Sequence, residues 1–190
     1  MMLLKITALL ALLLAGPPDA PAPAGAYRTA ADYRRSHLAP GGTDVTFPNK
    51  RGLLVVVDKR GHQTRRTALN PDSLWGFRDD KARTYRLFMG RAFRLEQYDS
   101  LCVYSSQEVA IDGQLLNSAR HYFFSRGLQG LVFPLTPKNI AQAYEAGSPA
   151  FVAATRRLEI GQALTDFNAR NESFRVVDLY RQNTPKPVRP

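Results

Sequence analysis

The residues best equipped for chemistry crowd between Trp75 and Tyr98, where Asp79 and Asp80 stand among Arg78, Lys81, Arg83, Arg86, Arg91 and Arg94. Two carboxylates can share general acid and base work only if both converge on one reacting centre. Neighbouring residues of a strand point to opposite faces, and both residues of a turn face solvent. The surrounding cations also hold carboxylates ionised, which opposes the raised pKa a general acid needs. The pair therefore reads as the start of a solvated turn, since an Asp side chain readily accepts from backbone N–H groups two residues on.

Other chemistry is sparse. His37, His62 and His121 stand far apart, without metal-ligand spacing, and neither CxxC nor HExxH occurs. Cys102, the only cysteine, lies in the apolar run "SLCVY" and reads as a buried small hydrophobe. No GxSxG elbow is present, and "MGRAF" and "RGLQGL" match neither a phosphate loop nor a dinucleotide fingerprint. These patterns name no catalytic residue, metal or cofactor. What remains is arginine. Arg78, Arg86 and Arg94 fall on successive strand-like runs with aromatics between them. If they share the outer face of a sheet, they form a guanidinium stripe suited to carboxylate or phosphate groups.

The charge balance agrees with that expectation. The chain of 190 residues carries a formal net charge of +10. Residues 50–94 hold twelve basic side chains against four acids, whereas 95–150 hold three against five. A positive field on one half favours anionic partners: an anionic glycan, a lipid headgroup or nucleic acid, with an envelope protein a further candidate.

The elements that must position these residues follow from periodicity. Met1 to Lys5 is short and basic, Ile6 to Ala15 is apolar, and Gly16, Pro17 and Pro18 break the run. Small residues then permit a cut before Gly25 or before Tyr27, so residues 1–26 read as a signal peptide. Ten apolar residues are well short of a membrane span, for which about 20 are needed. Export to the periplasm or beyond is expected, and it argues against nucleic acid as the partner. Residues 27–181 then form one domain, with 182–190 a disordered tail.

Thr29 with Asp32 approximates a capping box for a helix over 30–37. Leu53 to Val57 opens a hairpin that turns at Lys59 to His62, and "NPDS" is a further turn. "TYRLFM" and "AFRLEQY" alternate with period two. A loop over Gly90 to Ala92 sets Leu87 opposite Leu95 and Arg86 opposite Glu96, which keeps one face apolar and pairs unlike charges. "SLCVYSSQEVA", a turn in "IDGQLL" and the hairpin "ARHYFFSRGLQGLVFPL" continue the meander. About eight short strands are expected between 53 and 134. After Pro134, Thr136-Pro137 and Ser148-Pro149 each start a helix, and a third short helix is expected at Leu164 to Phe167. "SFRVVDLYR" reads as an edge strand.

The expected fold class is thus α+β. It is an antiparallel β-meander, either a twisted sheet or a partly closed barrel, with a short N-terminal helix and two or three C-terminal helices. The order "GAYRTAADYRR", "LWGFRD…YRLF", "YFFSRG" and "LTPKNIAQAY" behind a short leader resembles small exported proteins of unknown function from Gram-negative bacteria. The resemblance spans most of the mature chain and implies an exported β-rich domain. It carries no activity with it, so it assigns no catalytic residue. The functional expectation is a non-catalytic envelope binding or adaptor protein with a basic sheet face. The alternatives are an exported hydrolase whose site is assembled from distant residues, and a structural accessory of the outer membrane.

Overall fold

The structure, a computed structural model, describes residues 23–60, 62–107, 120–158 and 162–184. The leader up to residue 22, the turn in "IDGQLL" and the last six residues lie outside them. The chain begins with strand β1 (Ala24–Tyr27) and helix α1 (Ala30–Arg34), then the short strands β2 (Gly41–Gly42) and β3 (Asp44–Thr46). A hairpin of β4 (Leu54–Arg60) and β5 (Gln63–Leu69) follows, then β6 (Gly76–Arg78), β7 (Thr84–Phe88), β8 (Arg91–Gln97) and β9 (Leu101–Gln107). β10 (Arg120–Arg126) and β11 (Phe133–Pro134) precede α2 (Pro137–Tyr144) and α3 (Pro149–Arg156). A small hairpin of β12 (Phe167–Asn168) and β13 (Ser173–Phe174) leads into α4 (Arg175–Asn183).

The architecture is α+β. An eight-stranded antiparallel sheet runs in the order β11-β10-β9-β8-β7-β6-β1-β2, open at both ends, and a three-stranded sheet runs β3-β4-β5. Among the described residues eight strands lie between Leu54 and Pro134, as the turn spacing predicts, but the β4–β5 hairpin leaves the meander for the small sheet. β1 takes its place in the large one, between β6 and β2. The sequence reading placed this segment at the leader boundary. Here Ala24 and Ala26 are wholly buried. A cut before Gly25 leaves the Gly25, Ala26 and Tyr27 pairs with β6, whereas a cut before Tyr27 removes two of the three.

Local chemistry explains the element ends. Thr29 caps α1 with its hydroxyl while Asp32 accepts from the Thr29 N–H at 2.9 Å, a complete capping box. Asn70 caps the 3₁₀ turn Pro71–Ser73. The Thr136 hydroxyl accepts from the Asn139 N–H, with Pro137 at the first turn of α2. The eight-stranded and three-stranded sheets meet where β2 crosses β4. A Cβ on Gly42 would stand 2.5 Å from the Val57 carbonyl, so only glycine allows that approach.

Three expectations need correction. The β7–β8 hairpin pairs Phe88 with Arg91, Leu87 with Ala92 and Arg86 with Phe93, so the loop is Met89-Gly90. Both loop residues have positive φ, 49° and 71°, the primed turn whose twist matches the strands. That turn outweighs the charge pairing that suggested a longer loop. Leu164 to Phe167 is not a helix: Phe167 pairs with Phe174 in the small hairpin. "SFRVVDLYR" is mostly α4 rather than a strand, because Val176, Val177 and Tyr180 fall on one helical stripe against the core. The helix also takes in Gln182 and Asn183, at the start of the expected tail.

Each face of the large sheet has its own core. On one face Leu101, Val103 and Phe124 pack under Ile140, Tyr144, Phe151, Val152, Val176 and Val177 from the three C-terminal helices. Further along the same face, Phe77 and Leu87 pack on Leu54 and Val56 of the small sheet. Each such side chain, fully buried, contributes roughly 1.5–3 kcal/mol of transfer free energy. On the other face Tyr27, Phe93, Cys102 and Tyr104 pack with Trp75, Leu128 and Ala30. No helix among the described residues is long and apolar enough to cross a membrane.

Candidate functional site

The three arginines of the expected stripe do not share a face. Arg78 stands opposite Thr84, and Thr84 and Arg86 alternate on one side of β7. Arg94 stands opposite Tyr85 and so points to the other side. The Met89-Gly90 turn causes this: it moves the pairing three residues from the expected register, and an odd shift exchanges the faces of a strand. Each guanidinium is also engaged. Arg78 Nε donates to the Pro23 carbonyl at 2.7 Å, and Arg94 Nε lies 3.5 Å from Glu96 Oε1.

Arg86 is buried, at 5% exposure. Its Nη1 donates to the Tyr104 hydroxyl at 3.4 Å, and the guanidinium carbon sits 5.5 Å from the Phe88 ring centre and 5.9 Å from that of Tyr104. Nε has no hydrogen-bond partner, and no carboxylate among the described residues forms an ion pair with this arginine. The Tyr104 and Ser125 hydroxyls are 2.9 Å apart, and Ser125 donates to the Gly127 carbonyl at 2.6 Å. Because Ser125 spends its proton on Gly127, Tyr104 donates to Ser125. The chain Arg86–Tyr104–Ser125–Gly127 therefore ties the sheet to the β10–β11 loop, which also receives the Trp75 indole N–H at the Leu128 carbonyl, 2.8 Å. Burial pushes the Tyr104 hydroxyl up to about 12 and raises the Cys102 thiol as well. Neither is a nucleophile at neutral pH, and the nest is structural.

The carboxylates separate too. Asp79 is buried at 6% exposure, not solvated as the sequence suggested. Its Oδ1 accepts from the Lys81 and Arg83 N–H groups at 3.0 and 2.8 Å, and Oδ2 accepts from Arg83 Nε at 2.7 Å. It does start a turn, but it closes that turn from inside, while Asp80 faces solvent. Among the described residues, one histidine meets a carboxylate: His37 Nδ1 lies 3.3 Å from Asp32 Oδ1. Asp32 is already the capping-box acid, and its bond from the Thr29 hydroxyl holds its carboxyl below the ordinary value. His62 and His121 are exposed.

Three open clefts differ in charge. The cleft beside α4, about 570 Å³, sets Arg170 and Arg175 against Asp166 and Asp178, with Arg175 and Asp166 paired at 3.2 Å. That beside Tyr98, about 550 Å³, holds Arg34 and Asp99, and Arg181 already pairs with Asp99 at 2.6 Å. The third, about 460 Å³, opens where the small sheet meets the β1–β2 connection. Arg28, Arg60 and Arg65 line it with one carboxylate, Asp58.

Register builds that third cleft. Leu54, Val56, Asp58 and Arg60 alternate on one face of β4, opposite Leu69, Thr67, Arg65 and Gln63 of β5. The face runs from the apolar core at Leu54 to charge at the hairpin tip. Arg60 Nε meets Asp58 Oδ2 at 2.9 Å, which neutralises one pair. Arg28 only reaches the Ala39 carbonyl, at 3.4 Å, and Arg65 has no hydrogen-bond or ion-pair partner among the described residues. Two cationic groups are left over at the cleft, within reach of a ligand anion. The signal in the sequence is the run "DKRGHQTRR", which by itself reads as a hairpin turn leading into a polar strand.

No protein-family model matches the chain, and neither a curated protein nor a solved structure matches it.

Proposed function

We propose that this is an exported, non-catalytic binding protein that holds an anionic group, carboxylate or phosphate, in the basic cleft between its two sheets. One observation carries the reading: three guanidiniums share that cleft with a single carboxylate. In the other two clefts the charges balance, Arg170 and Arg175 against Asp166 and Asp178, and Arg34 against Asp99. An excess of positive charge beside low-dielectric walls draws anions in and raises their local concentration. Val56, Leu69 and Pro40 supply the apolar wall. The envelope is the setting, from the leader-like N-terminus.

Retention on a sulfated polysaccharide column, followed against salt, tests the site. Arg28→Ala with Arg65→Ala shortens retention and flattens its salt dependence, while Arg94→Ala, outside the cleft and beside Glu96, leaves both as they are. A double variant with the native salt slope would overturn the reading. For export, protein recovered from the periplasm with its N-terminus at Met1 would contradict the assignment.

A further inference from the structure

We propose that β5 is the docking edge for an acidic, extended segment of a partner protein, which adds to the small sheet as a fourth strand. The inference rests on the anion-binding reading of the cleft and names the source of the anion as a peptide carboxylate.

β5 is a seven-residue strand that, among the described strands, pairs only with β4. An antiparallel strand turns alternate pairs of its N–H and C=O groups toward each neighbour, so an edge strand presents half of them outward. None of the backbone groups from Gln63 to Leu69 bonds to a described residue outside the ladder with β4. The other sheet ends offer much less. β11 has two residues, one of them Pro134, and β2 has two glycines. β3 has three residues. β5 is the long open edge among the described strands.

Its charge selects the occupant. Residues 54–69 contain Lys59, Arg60, Arg65 and Arg66 against Asp58. A second copy of this chain paired edge to edge would set these cations against themselves, which is unfavourable across strands. An acidic strand meets them favourably. Arg65 faces the cleft and Arg66 the opposite side, because successive side chains alternate. Two adjacent acids on the added strand therefore answer both arginines. The one opposite Arg65 enters the cleft beside Arg28 and Arg60, and the one opposite Arg66 lies on the outer face. Backbone hydrogen bonds supply affinity in such strand addition, and alternate side chains supply selectivity. The segment recognised has two consecutive acidic residues within a β-branched run.

The test uses a labelled nine-residue peptide of Thr and Val with a central Glu-Glu pair. A control peptide of equal charge carries proline at alternate positions and lacks those N–H donors. The full chain binds the first peptide, with amide exchange at 63–69 slowed about tenfold or more. It binds the proline peptide at least about tenfold more weakly, and Arg65→Glu with Arg66→Glu weakens the first peptide to a similar degree. Equal binding of both peptides, or protection elsewhere in the chain, overturns strand addition and leaves the charged cleft standing. Binding of sulfated polysaccharide or of phosphatidylglycerol vesicles but of neither peptide overturns the protein partner alone. Failure of every anion, with no dependence on Arg28 or Arg65, removes the anion-binding reading and this inference together.

Discussion

In the large sheet, Arg78, Arg83, Arg86 and Arg94 are each absorbed by a neighbour: a carbonyl, a buried carboxylate, an aromatic nest, a glutamate. In the small sheet, Arg60 takes Asp58, and Arg65, across the strand from it, has no ion-pair partner among the described residues. The large sheet carries cores on both faces, so a charge there must find a partner or a cage. The small sheet buries Leu54, Val56 and Val57 at one end, and its tip stays in water. Density of arginine in the sequence therefore misleads: the richest stretch is the one the fold uses for itself.

The sharpest way to break this contrast is charge reversal at one arginine of each kind. Arg86→Glu puts a carboxylate in an aromatic pocket without a cation and costs at least about 4 kcal/mol, read by chemical denaturation. A stable, fully folded R86E protein would show that the nest is open to water. Next in size is the carboxylate pair. Asp79→Ala strands two backbone N–H groups and the Arg83 guanidinium and costs about 2–4 kcal/mol, whereas Asp80→Ala stays within about 0.5 kcal/mol. Equal effects would contradict the buried turn.

Tyr104 sharpens the same comparison through pH. Its folded pKa is raised, so the neutral hydroxyl stabilises the fold fully below pH 10, and that contribution fades as pH climbs toward about 12. The loss is roughly 3 kcal/mol across this window. Denaturant midpoints measured from pH 9 to 12 fall steeply in the native chain and more gently in Tyr104→Phe, which is itself less stable at neutral pH by about 1 kcal/mol. Parallel curves would show that Tyr104 does not govern the alkaline transition. The smallest change belongs to the small sheet: Arg65→Glu alters stability by no more than about 0.5 kcal/mol while abolishing the extra retention on anionic resin. A large loss of stability there would mean that the hairpin tip is part of the core.

Much of the fold was legible wherever a local rule applied. The Thr29 capping box, the Asn70 turn, the Thr136-Pro137 helix start and the α+β order all depend on residues within four positions of one another. Cys102 was legible as a buried hydrophobe for the same reason, and it is wholly buried. The α4 segment failed because Val176 and Val177 favour strands by type, yet their spacing to Tyr180 also fits a helix, and packing against Phe151 and Tyr144 decided. The candidate site was legible only as an excess of charge in residues 50–94.

By itself the sequence determined the composition of the basic half, the strand-rich middle, the helical end and the places where helices start. These follow from short-range sterics, capping and period. Tertiary structure alone decided that β1 enters the large sheet, that the β4–β5 hairpin leaves it, and that Met89-Gly90 closes the turn between β7 and β8. Those choices set register, and register sets faces. A three-residue shift from the expected β7–β8 pairing placed Arg94 on the face opposite to Arg86, and the departure of the hairpin brought Arg65 and Arg60 to Arg28. Long-range pairing of that kind is fixed by burial summed over whole sheets, which no window of the sequence contains.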